Sequence, residues 1–265
     1  MRIHNLAVVH QNAQIGEDVS IGPFAVIGAD VVIGKGCKIG AHVVIDGWTQ
    51  IGESCEFYTG AIIGSPPQDL KYKGEKTHLV IGNYNIFREY ITVNRGTVVG
   101  GGVTTLGDHC LMMAYSHVAH DCRLGNHVIL GNCVALSGHV TIEDYAIIGG
   151  LVGVHQFVSI GAHCIVGGCS GVRQDVPPYM MVSGVPVKVY GLNSVGLKRR
   201  NFSDDSMKAI QKAHRILFRS RLSRKHALEK VKAEIPGCPE VEHLVKFIES
   251  SERGVCRGAM REHEA

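Results

Sequence analysis

The residues best suited to chemistry lie in the run His117-Val118-Ala119-His120-Asp121-Cys122. A histidine is a suitable general base near neutral pH. The carboxylate that follows His120 can fix the tautomer of the ring and stabilise its charged form. Two further pairs of polar or small residues follow later in the chain, Gly138-His139 and His155-Gln156. Whether these groups meet depends on the elements that carry them.

An aliphatic residue recurs at every sixth position around this run. The twelve consecutive positions are Leu106, Met112, Val118, Leu124, Leu130, Leu136, Ile142, Ile148, Val154, Ile160, Val166 and Val172. Neither an α-helix nor an ordinary strand has this period. A hexapeptide period is typical of a parallel β-helix in which three hexapeptides form one coil of eighteen residues.

Stacked coils place residues that are eighteen positions apart in one column. The predicted columns are His120–Gly138–Gln156, Asp121–His139 and Ala119–Ser137–His155. None of these residues occupies an inward aliphatic position, so we expect the cluster to face outward, with His117 three residues back. A backbone N–H at Gly138 can bind a developing oxyanion. The cluster therefore predicts an acyl-transfer site, and polar turn residues on a solvated face are the alternative.

The six-residue period also organises the first half of the chain. It runs from Ile15 to Ile63, stops at Ser65, and resumes in phase at Ile81. It continues to Val99 and slips by one residue before Leu106, which predicts a small bulge. We therefore predict a β-helix over residues 1–190 with an excursion loop at 65–78. Loops on a rigid scaffold are common sites of function.

The last part of the chain has a different pattern and charge. Residues 191–265 predict a basic α-helical domain, with helices at about 204–217, 224–235 and 240–250 and a disordered tail from Arg253. Residues 1–187 carry a net charge of −4, whereas residues 188–265 carry +7. Such a basic end favours an acidic partner, and a solvated helical surface is the alternative.

The composition of the chain indicates where in the cell the protein functions and whether it binds a metal. No apolar run approaches the length of a membrane span, and the N-terminus lacks a signal peptide, so we expect a cytoplasmic protein without a membrane span. Five cysteines lie where small core residues also fall: Cys37, Cys55, Cys110, Cys122 and Cys164. Since CxxC is absent, a structural zinc site is not expected. His42, His109, His127 and His163 are expected at corners, and the column that His109 and His127 share is a weaker candidate for a metal.

Taken together, the motifs resemble one family. They are Gln68-Asp69-Leu70-Lys71-Tyr72, His117 to Cys122, Ser137-Gly138-His139, Val154-His155-Gln156-Phe157, Gly167-Gly168-Cys169-Ser170-Gly171, Gln174-Asp175-Val176-Pro177-Pro178 and Gly196-Leu197-Lys198-Arg199-Arg200. In this order they resemble the acyl-ACP–UDP-N-acetylglucosamine O-acyltransferases of lipid A biosynthesis. The resemblance implies a left-handed parallel β-helix with a C-terminal helical domain. It also implies a homotrimer with sites between neighbouring chains, no cofactor, no metal and no nucleic acid.

The resemblance assigns substrates and residue roles. A 3-hydroxyacyl chain would pass from acyl carrier protein to the 3-hydroxyl of UDP-N-acetylglucosamine. His120 would be the general base, Asp121 would orient it, and Gly138 would bind the oxyanion. Substrate would be bound by Gln68, Asp69, Lys71, His117, His139, His155 and Gln156, and the nucleotide by Asn193, Arg199 and Arg200. Gly168 would measure acyl length, and a glycine there favours a longer chain.

Some residues depart from the family pattern, and other functions stay open. Val195 stands where the enterobacterial pattern of the family carries a glutamate, and Asn94 where a histidine is expected. Some relatives act on a 3-amino sugar. The N-acyltransferase of the same pathway carries an extra N-terminal domain, a zinc carbonic anhydrase of this fold needs three histidines from two chains, and a non-catalytic β-helix needs none of these groups.

Overall fold

Short strands, nearly all of them parallel, are the most frequent elements of the computed structural model, which describes residues 2–220 and 222–259. The strands are β1 (Arg2–Ile3), β2 (Val8–Val9), β3 (Gln14–Ile15), β4 (Ser20–Ile21), β5 (Val26–Ile27), β6 (Val32–Ile33), β7 (Lys38–Ile39), β8 (Val44–Ile45), β9 (Trp48–Ile51), β10 (Glu56–Phe57), β11 (Ile62–Ser65), β12 (His78–Ile81), β13 (Ile86–Phe87), β14 (Thr92–Asn94), β15 (Val103–Leu106), β16 (Leu111–Met112), β17 (His117–Val118), β18 (Arg123–Leu124), β19 (Ile129–Leu130), β20 (Ala135–Leu136), β21 (Thr141–Ile142), β22 (Ile147–Ile148), β23 (Gly153–Val154), β24 (Ser159–Ile160), β25 (Ile165–Val166), β26 (Gly171–Val172), β27 (Met180–Ser183) and β28 (Lys188–Leu192).

Every third strand joins the same sheet, so the chain winds around a triangular prism. Face A holds β1, β4, β7, β10, β13, β16, β19, β22, β25, β27 and β28 in that order; face B holds β2, β5, β8, β11, β14, β17, β20, β23 and β26; face C holds β3, β6, β9, β12, β15, β18, β21 and β24. In β17 and β20, His117 pairs with Ala135 and Val118 with Leu136, eighteen residues apart. The predicted parallel β-helix is confirmed, because the second residue of each hexapeptide strand points into one continuous apolar core.

Three columns of residues with a left-handed backbone conformation, in which φ is positive, form the corners of the prism. Corner 1 joins face C to face A and includes His109, His127, Tyr145 and His163; corner 2 joins A to B and includes Tyr115, Cys133, Leu151 and Cys169; corner 3 joins B to C and includes Asp121, His139 and Phe157. The predicted corner histidines His42, His109, His127 and His163 have φ values of 56° to 57°. Glycines that follow inward positions are needed because the backbones of successive coils come close together there. A Cβ at Gly34, for example, would lie 2.5 Å from the Gly52 carbonyl oxygen.

Two insertions interrupt the prism on either side of β12 to β14. Ile51 pairs with Ile81, thirty residues away, so the first excursion adds twelve residues to a coil. Leu79 pairs with Thr104, twenty-five residues away, so the second excursion, residues 95–102, adds seven. Twelve is a multiple of six, which explains why the phase survived the first insertion. The prediction that Val99 lies at an inward position is wrong, because it belongs to the second excursion and is 90% exposed.

The chain leaves the prism through an antiparallel pair and four helices. Strand β27 is parallel to β25 and antiparallel to β28. The helices are α1 (Ser194–Arg199), α2 (Asp204–Arg219), α3 (Arg224–Glu234) and α4 (Pro239–Ser250). The three predicted helices are confirmed, and α1 was not predicted because it has only six residues. In the described ranges, no helix combines the length and hydrophobicity needed to cross a membrane.

The C-terminal segment and the cysteines test two smaller predictions. The disorder predicted from Arg253 is wrong for residues 253–259, because Val255 and Cys256 are buried and Asp175 forms a bridge to Val255. Residues 260–265 lie outside the described residues. The five cysteines expected in the core are all buried.

Candidate functional site

Asp121 is the most enclosed charged group at corner 3, with only 4% of its surface exposed. Its Oδ2 lies 2.8 Å from His120 Nδ1 and accepts from Thr97 Oγ1 at 2.6 Å. Its Oδ1 accepts from the Thr97 backbone N–H at 2.9 Å, and its own N–H donates to Thr104 Oγ1 at 2.8 Å. The expectation that the whole cluster faces outward is therefore wrong for Asp121. The second excursion covers its carboxylate.

His120 presents one ring nitrogen to the aspartate and leaves the other free for chemistry. Because the neighbouring carboxylate oxygen is an acceptor, Nδ1 carries the proton and Nε2 carries the lone pair. The ring lies against Gly138, where a Cβ would be 2.5 Å from Cε1 and 2.9 Å from Nε2. Only glycine fits there. Among the hydrogen bonds of the described residues, the Gly138 N–H has no acceptor. A base and a free backbone donor therefore lie side by side.

His139 sits one coil above Asp121, as the eighteen-residue column predicts. Its Nε2 is 3.7 Å from Asp121 Oδ2, and its ring stacks on Phe157 with centroids 4.4 Å apart. Burial lowers the pKa of His139, and the carboxylates of Asp121 and Asp69 partly oppose that shift. Asp69 belongs to the first excursion. That loop therefore brings its negative charge towards corner 3.

His117 lies on face B, next to the corner-3 cluster. Its Nδ1 is 2.7 Å from Thr92 Oγ1. Burial lowers the pKa of His117, and the neighbouring His120 lowers it further. The ring is therefore neutral near neutral pH and can exchange hydrogen bonds with a polar ligand without a change of charge.

The first excursion is held to the prism by a buried arginine. Arg95 is 7% exposed, and its Nη1 donates to the Gly64 carbonyl oxygen at 2.7 Å. Its Nε and Nη2 donate to the Tyr72 hydroxyl at 3.3 and 3.0 Å, and the guanidinium lies 5.5 Å from the Trp48 ring centre. This anchor fixes the loop that carries three predicted substrate-binding residues: Gln68 and Lys71, which are exposed, and Asp69, which is half-buried.

A shallow depression on face B extends from this cluster towards the C-terminal coils of the prism, the direction that we call upward. Its volume is about 260 Å³, and it is lined by Ala135, Ser137, Gly153, Val154, His155, Gly171, Val172 and Arg173. His155 Nδ1 lies 3.1 Å from the carbonyl oxygen of Gln156, and both residues are exposed. The structure thus brings His117, His120, Asp121, Gly138, His139, His155 and Gln156 to one region of corner 3 and face B.

The predicted nucleotide-binding residues lie at a different corner of the same chain. Asn193 donates from Nδ2 to the His163 carbonyl oxygen at 2.9 Å and caps α1 by accepting from the Gly196 N–H at 3.1 Å. The Arg200 guanidinium lies 4.2 Å from the centre of the Tyr145 ring, at corner 1. Arg199 is exposed nearby. Gly168 lies next to corner 2. Within one chain, therefore, neither Gly168 nor the predicted nucleotide-binding residues lie beside His120.

The chemistry of the cluster also bears on metal binding. His120, Asp121 and His139 offer three ligating atoms that lie within 4.8 Å of one another. A hydrogen bond joins His120 to Asp121, and the place of His139 one coil from Asp121 brings its ring to 3.7 Å from the same oxygen, so the stacking accounts for this proximity without an ion. The expected absence of a metal stays a prediction.

Four residues of the site were missed in the sequence: Thr92, Arg95, Thr97 and Thr104. The last three lie in or beside the second excursion, and the one-residue slip near Val99 was its only signal. The slip predicts a small bulge, and that prediction is wrong in size because seven residues are inserted.

Three comparisons place the chain among known proteins. The family profile of Udp N-acetylglucosamine O-acyltransferase, Domain 2, matches residues 175–256, and that of the bacterial transferase hexapeptide matches residues 12–47 and 104–138. The acyl-[acyl-carrier-protein]–UDP-N-acetylglucosamine O-acyltransferases of Thermodesulfovibrio yellowstonii and Trichlorobacter lovleyi are 52% and 51% identical; the alignments cover 96% and 97% of this chain and 99% and 100% of theirs.

A solved structure agrees with these sequence matches. The UDP-N-acetylglucosamine acyltransferase of Bacteroides fragilis superposes with a TM-score of 0.94 at 43% identity, and the match covers 96% of this chain and 99% of that one. The fold of this chain is accordingly the left-handed parallel β-helix that the resemblance implied.

The contacts of Thr97 predict a role in positioning Asp121. We expect Thr97→Val to lower kcat for acyl transfer roughly tenfold, because one hydrogen bond to a charged group is lost. KM should change little, and Thr97→Ser should restore the rate. Steady-state kinetics of both variants would test this. Thr105→Val is the matched control, since that residue lies on face C of the same coil. Equal losses in Thr97→Val and Thr97→Ser would contradict the role of the hydroxyl.

Proposed function

This chain belongs to the acyl-[acyl-carrier-protein]–UDP-N-acetylglucosamine O-acyltransferase family, and on that premise we propose that His120 is its general base. The enzyme is an acyltransferase of lipid A biosynthesis that uses an acyl carrier protein and UDP-N-acetylglucosamine. The observation that carries the proposal is the short contact between His120 Nδ1 and Asp121, which leaves Nε2 beside Gly138. A base and an oxyanion donor then act on the same reacting centre.

The proposed reaction follows from these positions. His120 Nε2 takes the proton of the sugar 3-hydroxyl, and the oxygen attacks the thioester carbonyl carbon. The Gly138 N–H stabilises the oxyanion of the tetrahedral intermediate. The intermediate collapses, the C–S bond breaks, and the imidazolium of His120 returns the proton to the leaving sulfur. Asp121 stays ionised and stabilises the imidazolium while it exists.

The surrounding residues suit the two substrates. Around the base we propose that Gln68, Asp69, Lys71, His117, His139, His155 and Gln156 bind the sugar, the phosphates and the acyl donor. Neutral imidazoles at His117 and His139 can hydrogen-bond sugar hydroxyls, in line with the lowered pKa values of both rings. We propose that Gly168 leaves room for the far end of a long acyl chain, because this residue is exposed and has no side chain.

Exposed apolar rows on two faces support a homotrimer. On face B, the outward residues Val8, Val26 and Ile62 are 63%, 41% and 39% exposed. On face A, the outward residues of later coils are half-buried and aliphatic: Ile86, Leu111, Ile129, Ile147 and Ile165. Face B of those later coils carries the small residues Ala135, Gly153 and Gly171, which leave room for such an aliphatic row. Three copies arranged around corner 2 would set face B of each chain against face A of the next. This heterologous contact closes after three steps.

The trimer would also complete the site. Corner 3 of one chain would then approach corner 1 of its neighbour, which carries Asn193, Arg199 and Arg200. We propose that these residues bind the nucleotide whose sugar reacts at His120 of the adjacent chain. The arrangement accounts for two groups of site residues that lie on different corners within one chain.

The cysteines support a cytoplasmic location. All nine are free thiols in the described structure, where none of them forms a disulfide bond. Reduced thiols in this number are typical of the cytosol.

The role of His120 can be tested by mutation. His120→Ala should lower the rate by at least about 10², the usual loss for a general base. The measurement is the rate at which product forms from UDP-N-acetylglucosamine and a panel of 3-hydroxyacyl carrier proteins, with each product identified by its mass. The assay is repeated with the 3-amino sugar nucleotide. His10→Ala, an exposed histidine of the first coil, is the control. Retained activity would remove His120 from its role, and inhibition by a chelator would favour a metal.

The role of Gly168 predicts a change in acyl-chain preference. A Cβ there would lie 3.2 Å from the Gly150 carbonyl oxygen, so a larger side chain needs only a small adjustment. Gly168→Met should shift the preference to shorter chains, and Gly168→Ala should shift it less. Competition between carrier-bound chains of different length measures both. An unchanged profile in Gly168→Met would contradict the assignment.

The shared site predicts complementation between inactive variants. We expect His120→Ala and Arg200→Ala each to lose most activity as separate preparations. Unfolded and refolded together in equal amounts, they should recover about a quarter of the wild-type sites, because each site draws on two chains. Steady-state rates before and after mixing measure the recovery. An assembly of three chains with no recovery would show that both residues act within one chain.

A further inference from the structure

A column of outward residues climbs from the catalytic cluster along the edge of face B at corner 3. It consists of Ala119, Ser137, His155 and Arg173, one residue per coil. The first three donate their backbone N–H to the coil above at 3.2, 3.0 and 2.9 Å. Three strand spacings separate Ala119 from Arg173, which is about 14 Å. The column therefore leads from the residue before His120 to a single arginine.

The depression on face B runs beside this column. Ala135, Gly153 and Gly171 line its floor, and a Cβ at Gly153 would meet nothing within 4 Å. At Gly171 a Cβ would lie 3.2 Å from Val185 Cγ1, so this side chain borders the depression at its upper end. In the proposed trimer the depression would form part of the cleft between face B and face A of the next chain, where a narrow chain fits along the glycines. Ser137 and His155 line the same wall and offer hydrogen-bonding groups. An extended ligand with polar groups along its length therefore fits better than a purely apolar one.

Arg173 supplies a positive charge at the upper end of the depression. Within residues 2–220 and 222–259, its guanidinium forms no ion pair, and it is exposed. Arg253 Nε donates to the Arg173 carbonyl oxygen at 3.3 Å, which holds the backbone of this residue and brings a second guanidinium nearby. A planar guanidinium suits a phosphate, which it can bind through two parallel hydrogen bonds.

We propose that Arg173 binds the phosphodiester of the acyl donor's pantetheine arm. Acyl carrier proteins present the acyl group as a thioester on such an arm. Thirteen bonds join its sulfur to its phosphorus, about 16 Å when extended. With the thioester carbonyl between His120 and Gly138, the phosphate comes level with Arg173, and the two amides of the arm pass Ser137 and His155. The inference rests on the proposed function, because it needs a thioester donor at His120.

Donors with and without the phosphate isolate this contact. The probes are 3-hydroxyacyl-phosphopantetheine and 3-hydroxyacyl-pantetheine, which share the thioester and both amides. We expect the wild-type enzyme to use the phosphorylated donor with a kcat/KM roughly tenfold higher, the value of one charge-assisted hydrogen bond. Arg173→Ala should lose that preference and keep the wild-type kcat/KM for the pantetheine donor. Arg173→Lys should keep part of it.

The control and the contrary results separate this inference from the proposed function. Arg123→Ala removes an exposed arginine on the other side of corner 3, and it should keep the full preference. A wild-type enzyme with no preference, an Arg173→Ala variant that keeps it, or equal losses with both donors would each overturn the phosphate contact. A wild-type enzyme that acylates the sugar nucleotide from neither these donors nor the carrier protein would refute the proposed function, and this inference with it.

Discussion

Parallel hydrogen bonding between successive coils decides which residues of this protein meet. Each coil is bonded in register to the one below it, as His117 is to Ala135 and Ala135 to Gly153. Side chains therefore stack in columns one strand spacing apart, about 4.8 Å. In each hexapeptide the second strand residue and the residue two places before it are buried, as Leu130 and Val128 are, so the core uses two of the six positions. The others are free to build a site across several coils.

The two insertions turn that regular surface into an enclosed site. A carboxylate at corner 3 of an uninterrupted prism would face solvent. Here the second excursion covers Asp121, and burying a charge without partners costs several kcal/mol per ion. The backbone N–H and hydroxyl of Thr97 and the His120 ring satisfy both carboxylate oxygens. The same excursion begins with Arg95, which holds the first excursion through Tyr72. One insertion thus supports the base and the loop that carries Asp69.

Periodicity could predict the columns but not what the insertions contribute. The alignment of His120 with Gly138, and of Asp121 with His139, follows from counting eighteen residues, and both contacts are present. Thr97 could not be found in this way, because an insertion has no partner at a fixed distance in sequence. For the same reason the six-residue period wrongly predicts Val99 as a core residue. Arg200 is remote from His120 within one chain, so its role depends on a neighbouring chain that no pattern in a single sequence describes.

The histidines show why position within a hexapeptide does not determine function. His127 and His163 occupy corner 1, where each stacks on the Tyr145 ring at centroid distances of 4.5 and 4.8 Å. Burial and the nearby Arg200 lower the pKa of both rings, which holds them neutral. His139 has the same place in its own hexapeptide, yet the residue one coil below it is Asp121. A histidine of this fold therefore takes its chemistry from the column it stands in, and a carboxylate one coil away is the feature that separates a reactive corner from a stacked one.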